Sequence, residues 1–276
     1  MRLGVAAALT VGAVAVIIGG IWVLQDHFIY FPGPDPGAPP DAWVEFSVET
    51  DDGLLLNAWT RSNEANNHQP VVIVFPGNAG SRAGRVLLGD RLVDAGYTVV
   101  LSDYRGYGGN PGRPSEAGIA ADARAIAHAV RERGMGSGTI IYYGESLGAA
   151  VAVSLATEEP PDVLVLGSPF TSMADVGRHH YPFLPVGTLL RDEYASLERI
   201  EAGDLVGVPA FVIAGTGDRT IPVEQSRRIA GALGAEIHEV SGADHNDPSI
   251  RSSSEMVAHV SAFVDRVLRD GVESDE

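Results

Sequence analysis

Short, unbroken apolar runs are the feature of this 276-residue sequence that most restricts its fold. Strands that are buried on both faces of a mostly parallel sheet have this composition. The runs are Val71–Phe75, Thr98–Ser102, Thr139–Tyr143, Val163–Leu166, Ala210–Ala214 and Ala235–Val240. Helical stretches alternate with them, at Ala83–Ala95, Glu116–Arg133, Leu147–Thr157, Val223–Leu233 and Glu255–Leu268. The alternation predicts an α/β fold with a doubly wound, mostly parallel sheet.

Two segments depart from the alternation. Val44–Val48 and Leu54–Thr60 flank the turn sequence Thr50-Asp-Asp-Gly53, which indicates an antiparallel hairpin before the parallel strands. The interval at about residues 172–203 separates two buried strands and is too long for an ordinary connection. We therefore expect a short cap insertion there.

The amino-terminal segment predicts a membrane anchor. Leu3–Leu24 carries no charge, and 22 helical residues reach about 33 Å, which exceeds a bilayer core of about 30 Å. A cleaved signal peptide is the alternative, but its apolar core is normally shorter and ends at a small-residue cleavage site. We expect an uncleaved anchor over residues 1–27, a proline-rich linker over 28–42 and a catalytic domain over 43–276. Arg2 precedes the span, which favours a single-pass protein with an extracytoplasmic domain.

Composition excludes several classes of function. The chain has no cysteine, which removes disulfides, zinc–cysteine sites and thiol nucleophiles. All 19 basic residues are arginine and 36 residues are acidic, so the net charge is −17. Such a surface repels nucleic acid, and we expect no nucleic-acid partner. The sequence leaves the oligomeric state open.

Gly144-Glu-Ser-Leu-Gly148 lies between a predicted strand and a predicted helix. This is the G-x-S-x-G nucleophile elbow in the context that it requires, because the sharp turn lifts the serine hydroxyl clear of the sheet. Ser146 is therefore the predicted nucleophile. A purely structural turn is the alternative interpretation.

An oxyanion needs two hydrogen-bond donors near the nucleophile. The elbow architecture takes one backbone N–H from the residue after the serine and one from the loop after an earlier strand. Leu147 fills the first position, and Asn78 in Pro76-Gly-Asn-Ala-Gly80 fills the second. Asn78 acting through its side chain, or a simple glycine-rich turn, remain alternatives.

A nucleophilic serine also needs an imidazole base and a carboxylate that orients it. Asp218 follows the strand Ala210–Ala214, and the end of the preceding strand carries no acid. His245 lies in a loop between the last strand and the last helix, which matches the chain order serine, acid, histidine. We predict Asp218 as the acid and His245 as the base, with an Asx turn at Asp218 as the alternative.

Other polar residues could contact substrate. Tyr104 in Asp103-Tyr-Arg-Gly-Tyr-Gly108 ends another strand, although this segment also suits a turn in which Asp103 and Arg105 hold neighbouring loops. His179 and His180 lie in the predicted cap. No metal-binding pattern is present in the sequence, since it has neither cysteine nor H-E-x-x-H.

Taken in order, the motifs P-G-N-A-G, D-Y-R-G-Y-G, G-E-S-L-G, S-P-F-T-S, G-x-x-D-x-x-I-P and G-x-x-H-N-D resemble a known family. They are similar to single-pass, membrane-anchored α/β-hydrolases related to monoacylglycerol lipase, lysophospholipase and acyl-protein thioesterase homologues, often grouped with serine aminopeptidase-like S33 hydrolases. The resemblance covers the chain from about Phe28 to its end. It implies the α/β-hydrolase fold and the triad Ser146, Asp218 and His245.

These features together predict a serine hydrolase that cleaves carboxylic ester or thioester bonds through an acyl-enzyme, without a cofactor. A membrane anchor would favour lipid-like or acylated substrates. A serine peptidase of the S33 type uses the same triad and is the first alternative. A non-catalytic binding module that keeps the fold is the second.

Overall fold

The computed structural model describes residues 9, 12, 16, 19–20, 22–62, 69–135, 138–203 and 205–274. Most of the predicted membrane anchor lies outside these residues. Within the residues that it does describe, no helix combines the length and the apolar character needed to cross a membrane.

Ten strands are present in the described chain, and eight of them form one sheet. They are β1 (Phe31–Pro32), β2 (Val44–Glu49), β3 (Leu55–Arg61), β4 (Val71–Phe75), β5 (Ala79–Gly80), β6 (Thr98–Leu101), β7 (Ile140–Glu145), β8 (Val163–Gly167), β9 (Ala210–Gly215) and β10 (Glu236–Val240). The main sheet has the order β10-β9-β8-β7-β4-β6-β3-β2, and β1 pairs with β5 in a separate two-stranded sheet. The pairs β6–β4, β4–β7, β7–β8, β8–β9 and β9–β10 are parallel, whereas β2–β3 and β3–β6 are antiparallel.

Helices cover both faces of this sheet. They are α1 (Asp26–Ile29), α2 (Val86–Asp94), α3 (Glu116–Glu132), α4 (Leu147–Glu158), α5 (Met173–His180), α6 (Val186–Leu189), α7 (Ser196–Glu201), α8 (Val223–Leu233), α9 (Pro248–Arg251) and α10 (Ser254–Ser274). A 3₁₀ turn at Arg82–Arg85 precedes α2. One buried cluster packs α3, α4 and α8 against the sheet, and a second packs α2 and α10 against its other face.

The predicted α/β architecture is confirmed. Every residue of β4, β6, β7, β8 and β9 is buried, because helices cover both sides of these strands and leave no face for a polar side chain. The predicted hairpin is also confirmed, with Val44 opposite Thr60 and Glu49 opposite Leu55. Parallel pairing brings the carboxyl ends of β4, β7, β8 and β9 to one edge, where ligands bind in open α/β sheets.

The predicted cap contains α5, α6 and α7. Residues of α5 and α6 are at least partly exposed. In α7, by contrast, Ser196 and Ile200 are buried, and Ile200 belongs to the main core cluster. The part of the insertion that projects from the domain is therefore α5 and α6.

Residues 22–33, which we call the exit segment, pack against the domain. Ile29 and Tyr30 are buried with 5% and 4% exposure and belong to the main core cluster. The Tyr30 hydroxyl donates to Asp192 Oδ2 at 2.6 Å and lies 2.9 Å from the Tyr194 hydroxyl. Strand β1 pairs with β5, with Phe31 opposite Ala79. The first residues of the predicted linker are thus part of the packed structure.

Candidate active site

Ser146 occupies the turn between β7 and α4. Its backbone has φ 53° and ψ −113°, a conformation that residues other than glycine seldom adopt. The flanking glycines are required by space: a Cβ on Gly148 would lie 2.0 Å from the carbonyl oxygen of Phe75, and one on Gly144 would lie 2.3 Å from that of Gly148. The sharp turn therefore depends on close backbone contacts that only glycine permits.

Asp218 lies in the turn after β9. Its Oδ1 accepts hydrogen bonds from the backbone N–H groups of Thr220 at 2.8 Å and Ile221 at 2.7 Å. Its Oδ2 lies 2.7 Å from Nδ1 of His245, and the carboxylate is almost fully buried. Because both carboxylate oxygens have partners, the side chain is fixed in one orientation.

His245 connects this carboxylate to the serine. Its Nε2 lies 3.1 Å from Oγ of Ser146, so the three predicted side chains form a continuous hydrogen-bonded chain. The distances are those over which a hydroxyl proton can pass to an imidazole while a carboxylate stabilises the resulting cation.

A second contact holds the loops that carry Asp218 and His245 together. Asp244 Oδ1 accepts from the backbone N–H groups of Arg219 and His245, and its Oδ2 accepts from the Arg219 guanidinium at 2.6 Å. These donors hold the pKa of the Asp244 carboxyl well below its ordinary value. The loops also touch directly, since a Cβ on Gly217 would lie 2.6 Å from the carbonyl oxygen of Gly242. Asp244 thus joins two loops of the site.

Both predicted oxyanion residues line the pocket beside Ser146. Leu147 is the first residue of α4, and N–H groups in the first turn of a helix have no partner within the helix. The Asn78 side-chain amide is engaged elsewhere, because its Nδ2 donates to the carbonyl oxygen of Ile29 at 3.0 Å. The Asn78 carbonyl accepts from the Phe31 N–H and the Tyr107 hydroxyl, each at 2.9 Å. These contacts fix the loop and leave the backbone N–H and the second side-chain N–H as the donors that Asn78 can offer the pocket.

The structure corrects one predicted substrate contact. Tyr104 is fully buried, and its hydroxyl donates to the carbonyl oxygen of Pro76 at 2.8 Å, so it supports the Asn78 loop from below instead of facing the pocket. The contacts agree with the other interpretation of this segment, a turn in which Asp103 and Arg105 hold neighbouring loops. Asp103 is buried against Arg82, and Arg105 binds both Asp52 and Asp122.

The two cap histidines do not line the pocket around Ser146. His179 is exposed, and its ring packs edge-on against that of His180. His180 Nε2 lies 3.0 Å from the carbonyl oxygen of Thr220, so this side chain joins α5 to the turn that follows Asp218. His180 also lines the larger cavity between the cap and residues 22–33, so a substrate contact at His180 stays a prediction, whereas His179 lines neither cavity.

Two neighbouring cavities lie at this edge of the sheet. The catalytic pocket has a volume of about 270 Å³ and contains Ser146 and His245. The exit groove has a volume of about 480 Å³ and lies between the exit segment and the cap, with Phe28, Ile29, Tyr181, Leu184 and Leu190 among its walls. Asn78, Met173, Val176 and Thr220 line both cavities, which therefore adjoin each other.

Sequence reasoning missed several residues of the site. Arg85, Glu145 and Arg251 line the catalytic pocket, and Phe28 and Ile29 line the exit groove. Glu145 lies inside the G-x-S-x-G motif, and Phe28 belongs to an aromatic-rich stretch, Phe28-Ile-Tyr-Phe31, directly after the predicted anchor, so both carried a signal in the sequence. No sequence pattern indicated that Arg85 and Arg251 would meet.

Known proteins share both the sequence pattern and the fold. Residues 66–190 match the family model described as serine aminopeptidase, S33. The chain is 44% identical over 265 residues to an uncharacterised protein of Mycobacterium tuberculosis, covering 92% of this chain and 93% of that one. It is 32% identical over 189 residues to the lysophosphatidylserine lipase ABHD12 of Danio rerio; that match covers 62% of this chain and 49% of the relative.

Solved structures show the same architecture at low identity. The esterase Pf2001 of Pyrococcus furiosus superposes with a TM-score of 0.71 at 20% identity, covering 87% of this chain and 98% of the esterase. Est1E of Butyrivibrio proteoclasticus, solved with ferulic acid, superposes with a TM-score of 0.67 at 18% identity, covering 81% and 99%.

The fold and the sequence matches define the class: this is a serine hydrolase with the α/β-hydrolase fold. The chain belongs to the same family as the mycobacterial relative, with which it shares nearly its whole length.

Proposed function

We propose that Ser146, His245 and Asp218 form the catalytic triad of an enzyme that hydrolyses long-chain acyl esters. The observation that carries the proposal is the hydrogen-bonded chain from the Ser146 hydroxyl to the Asp218 carboxylate, with distances of 3.1 and 2.7 Å. Ester hydrolysis also agrees with the esterases and lipases to which the chain is similar.

The reaction follows from the geometry. His245 Nε2 takes the Ser146 hydroxyl proton as Oγ attacks the ester carbonyl, and Asp218 stabilises the imidazolium. The backbone N–H groups of Leu147 and Asn78 donate to the oxyanion that develops. His245 then passes its proton to the departing alkoxide, and water repeats the sequence to release the fatty acid.

The exit groove supports a long acyl chain as the substrate. It adjoins the catalytic pocket, and most of its walls are apolar side chains from the exit segment and the cap. An alkyl chain that leaves water for such a surface gains roughly 0.8 kcal/mol per methylene group. The ABHD12 relative is a lysophosphatidylserine lipase, and the substrate of such an enzyme carries a single acyl chain.

A membrane tether belongs to the same proposal. Leu3–Leu24 is long and apolar enough for a span, and the exit segment that follows it forms one wall of the groove. The mouth of the groove would then lie near lipid. Membrane fractionation of the full chain, followed by extraction with alkaline carbonate, tests the tether; release into the supernatant would contradict it.

Labelling with a fluorophosphonate probe tests the triad. We expect one adduct, on Ser146, and loss of at least about a thousandfold in kcat for p-nitrophenyl ester hydrolysis in Ser146→Ala, as in other triad hydrolases. Ser168→Ala is the matched control, because Ser168 lines the same pocket without a triad partner. An adduct on another residue, or an unchanged rate in Ser146→Ala, would refute the assignment. Matched amide substrates in the same assay separate an esterase from a peptidase.

A further inference from the structure

The catalytic pocket holds an unusual concentration of positive charge for so acidic a protein. Arg85 and Arg251 both line it and share one carboxylate, that of Glu145. Two guanidinium groups beside one carboxylate leave one positive charge, whereas the whole chain carries −17. We propose that Arg85 and Arg251 bind a phosphate group on the polar part of the ester substrate, an inference that rests on the proposed ester hydrolysis.

Arg85 is positioned next to the predicted oxyanion loop. Its Nε donates to Glu145 Oε2 at 3.0 Å and its Nη1 to the carbonyl oxygen of Ala79 at 3.1 Å. Its Nη2 lies 3.6 Å from where a Cβ on Gly77 would be, and it donates to no acceptor in the part of the chain that the structure describes. A buried guanidinium whose free N–H groups face a pocket is a donor that a substrate anion can satisfy.

Arg251 supplies the second charge from another element. Its Nη2 lies 3.3 Å from Glu145 Oε2, a long contact, and its Nη1 donates to Asn246 Oδ1 at 3.0 Å. The Arg251 side chain is about one-third exposed and its contact with the buried Glu145 is long, so part of its guanidinium is open to a ligand. Arg85, with 8% exposure, is the fixed member of the pair, and Arg251 is the accessible one.

Arg85 and Arg251 lie on the side of the catalytic pocket away from the exit groove. The residues shared by the catalytic pocket and the exit groove are Asn78, Met173, Val176 and Thr220, and neither arginine is among them. An acyl chain in the groove therefore leaves the arginine side of the pocket for the alcohol part of the ester. Planar guanidinium groups bind phosphate through paired hydrogen bonds, which a neutral glycerol cannot form as strongly.

Paired substrates test the inference. We would measure kcat/KM for 1-oleoylglycerol and for 1-oleoylglycerol 3-phosphate in mixed detergent micelles. The quantity compared between wild type and variants is the kcat/KM of the phosphorylated substrate divided by that of the neutral one. In Arg251→Gln this ratio should fall roughly tenfold, the effect of losing one charge-assisted hydrogen bond. In Glu145→Gln it should rise, because the same arginines then lack their competing carboxylate.

Arg178→Gln is the matched control for the loss of one positive charge near the site. Arg178 is exposed on α5, pairs with Asp175 and does not line the catalytic pocket, so its variant should keep the wild-type ratio. Equal ratios in wild type and Arg251→Gln, or a fall in Glu145→Gln as large as that in Arg251→Gln, would overturn the inference and leave the arginines as supports of the elbow.

Two further measurements separate the possible failures. Hydrolysis of the neutral substrate and fluorophosphonate labelling of Ser146 test the proposed function alone, so the phosphate preference can fail while ester hydrolysis stands. Inorganic phosphate tests binding of a free anion: it should inhibit the wild type competitively and Arg251→Gln more weakly. Inhibition by inorganic phosphate without any effect of Arg251→Gln on the substrate ratio would overturn the assignment to the substrate's own phosphate.

Discussion

The backbone of Ser146 is strained in the conformation that presents its hydroxyl at the turn. A residue with a side chain at φ 53° and ψ −113° costs of order 1–3 kcal/mol, and the glycines around it cannot relax the turn because their neighbours lie too close. The strain belongs to the elbow, so it persists in any variant that keeps a Cβ at this position.

Comparison of two variants that lack the Ser146 hydroxyl tests this strain. Ser146→Gly should unfold at a higher temperature than Ser146→Ala, because glycine adopts this conformation without a Cβ clash. We expect a gain of about 1 kcal/mol in the free energy of unfolding after the greater backbone entropy of unfolded glycine is subtracted. Thermal unfolding measures it, and equal melting temperatures would show that the strain is no larger than the entropy cost of the glycine.

At the same scale, residue identity alone predicted the triad but not the direction of every side chain. Ser146, Asp218 and His245 follow from motif and chain order, and the structure brings them together. Tyr104 also lies just after the end of a strand, yet its side chain points into the core toward Pro76. A sequence indicates which residues lie at the edge of the sheet, whereas packing decides which of them face the pocket.

Among the elements, the turn after β9 and the loop after β10 depend on each other through Asp244 and Arg219. Replacing Asp244 by alanine should lower kcat roughly three- to tenfold, because small displacements of a catalytic base are costly. The Asp244 pKa is held below its ordinary value, so the carboxylate is charged at neutral pH. Its negative charge, and with it the contact with Arg219, is lost only as the pH falls through the lowered pKa. The effect on kcat should therefore be constant from pH 6 to 9.

Glu239→Ala is the control for this prediction. Glu239 forms a similar exposed ion pair with Arg227, between β10 and α8, but contacts no residue of the triad. Glu239→Ala should leave kcat unchanged. Both Glu239→Ala and Asp244→Ala should change the melting temperature only slightly, because each removes a surface ion pair. If both variants reduce kcat equally, the contact between the two loops has no special role in placing His245.

The strands of the main sheet could be predicted to within two residues, since their apolar composition is local, but α10 extends six residues beyond its predicted end and the short elements α1, β1, β5 and α9 were not predicted. The packing of α7 onto the core and the attachment of the exit segment could not be predicted, because both depend on contacts between distant parts of the chain. Tyr30 meets Asp192 and Tyr194 across more than 160 residues, and no pattern in either segment indicates the other.

For the molecule as a whole, the exit segment decides where a complete catalytic unit begins. A protein that starts at residue 43 lacks Ile29, Tyr30 and β1, and buried side chains of this size each contribute about 1.5–3 kcal/mol before the entropy of ordering is subtracted. Relative to a protein that starts at residue 22, its melting temperature should be lower by roughly 5–10 °C.

The same pair of truncated proteins tests the exit groove. Loss of Phe28 and Ile29 removes one wall, so the shorter protein should lose far more activity toward a C16 p-nitrophenyl ester than toward a C4 ester. The C4 ester serves as the internal control for general damage. A C16 to C4 ratio that is the same in both proteins would place the acyl chain elsewhere.

The hydrogen bonds between Asn78 and the exit segment also have a mechanical consequence. Asn78 holds Phe31 and Ile29 from both its carbonyl and its side chain, and β1 runs parallel to β5 immediately beyond it. A pull on the amino terminus would first load the contacts of Gln25 and Asp26 with the cap, and then the buried Ile29 and Tyr30. The loop that carries Asn78 would feel tension only after these contacts had begun to give way, so the cap and the core shield the site from traction on this end of the chain.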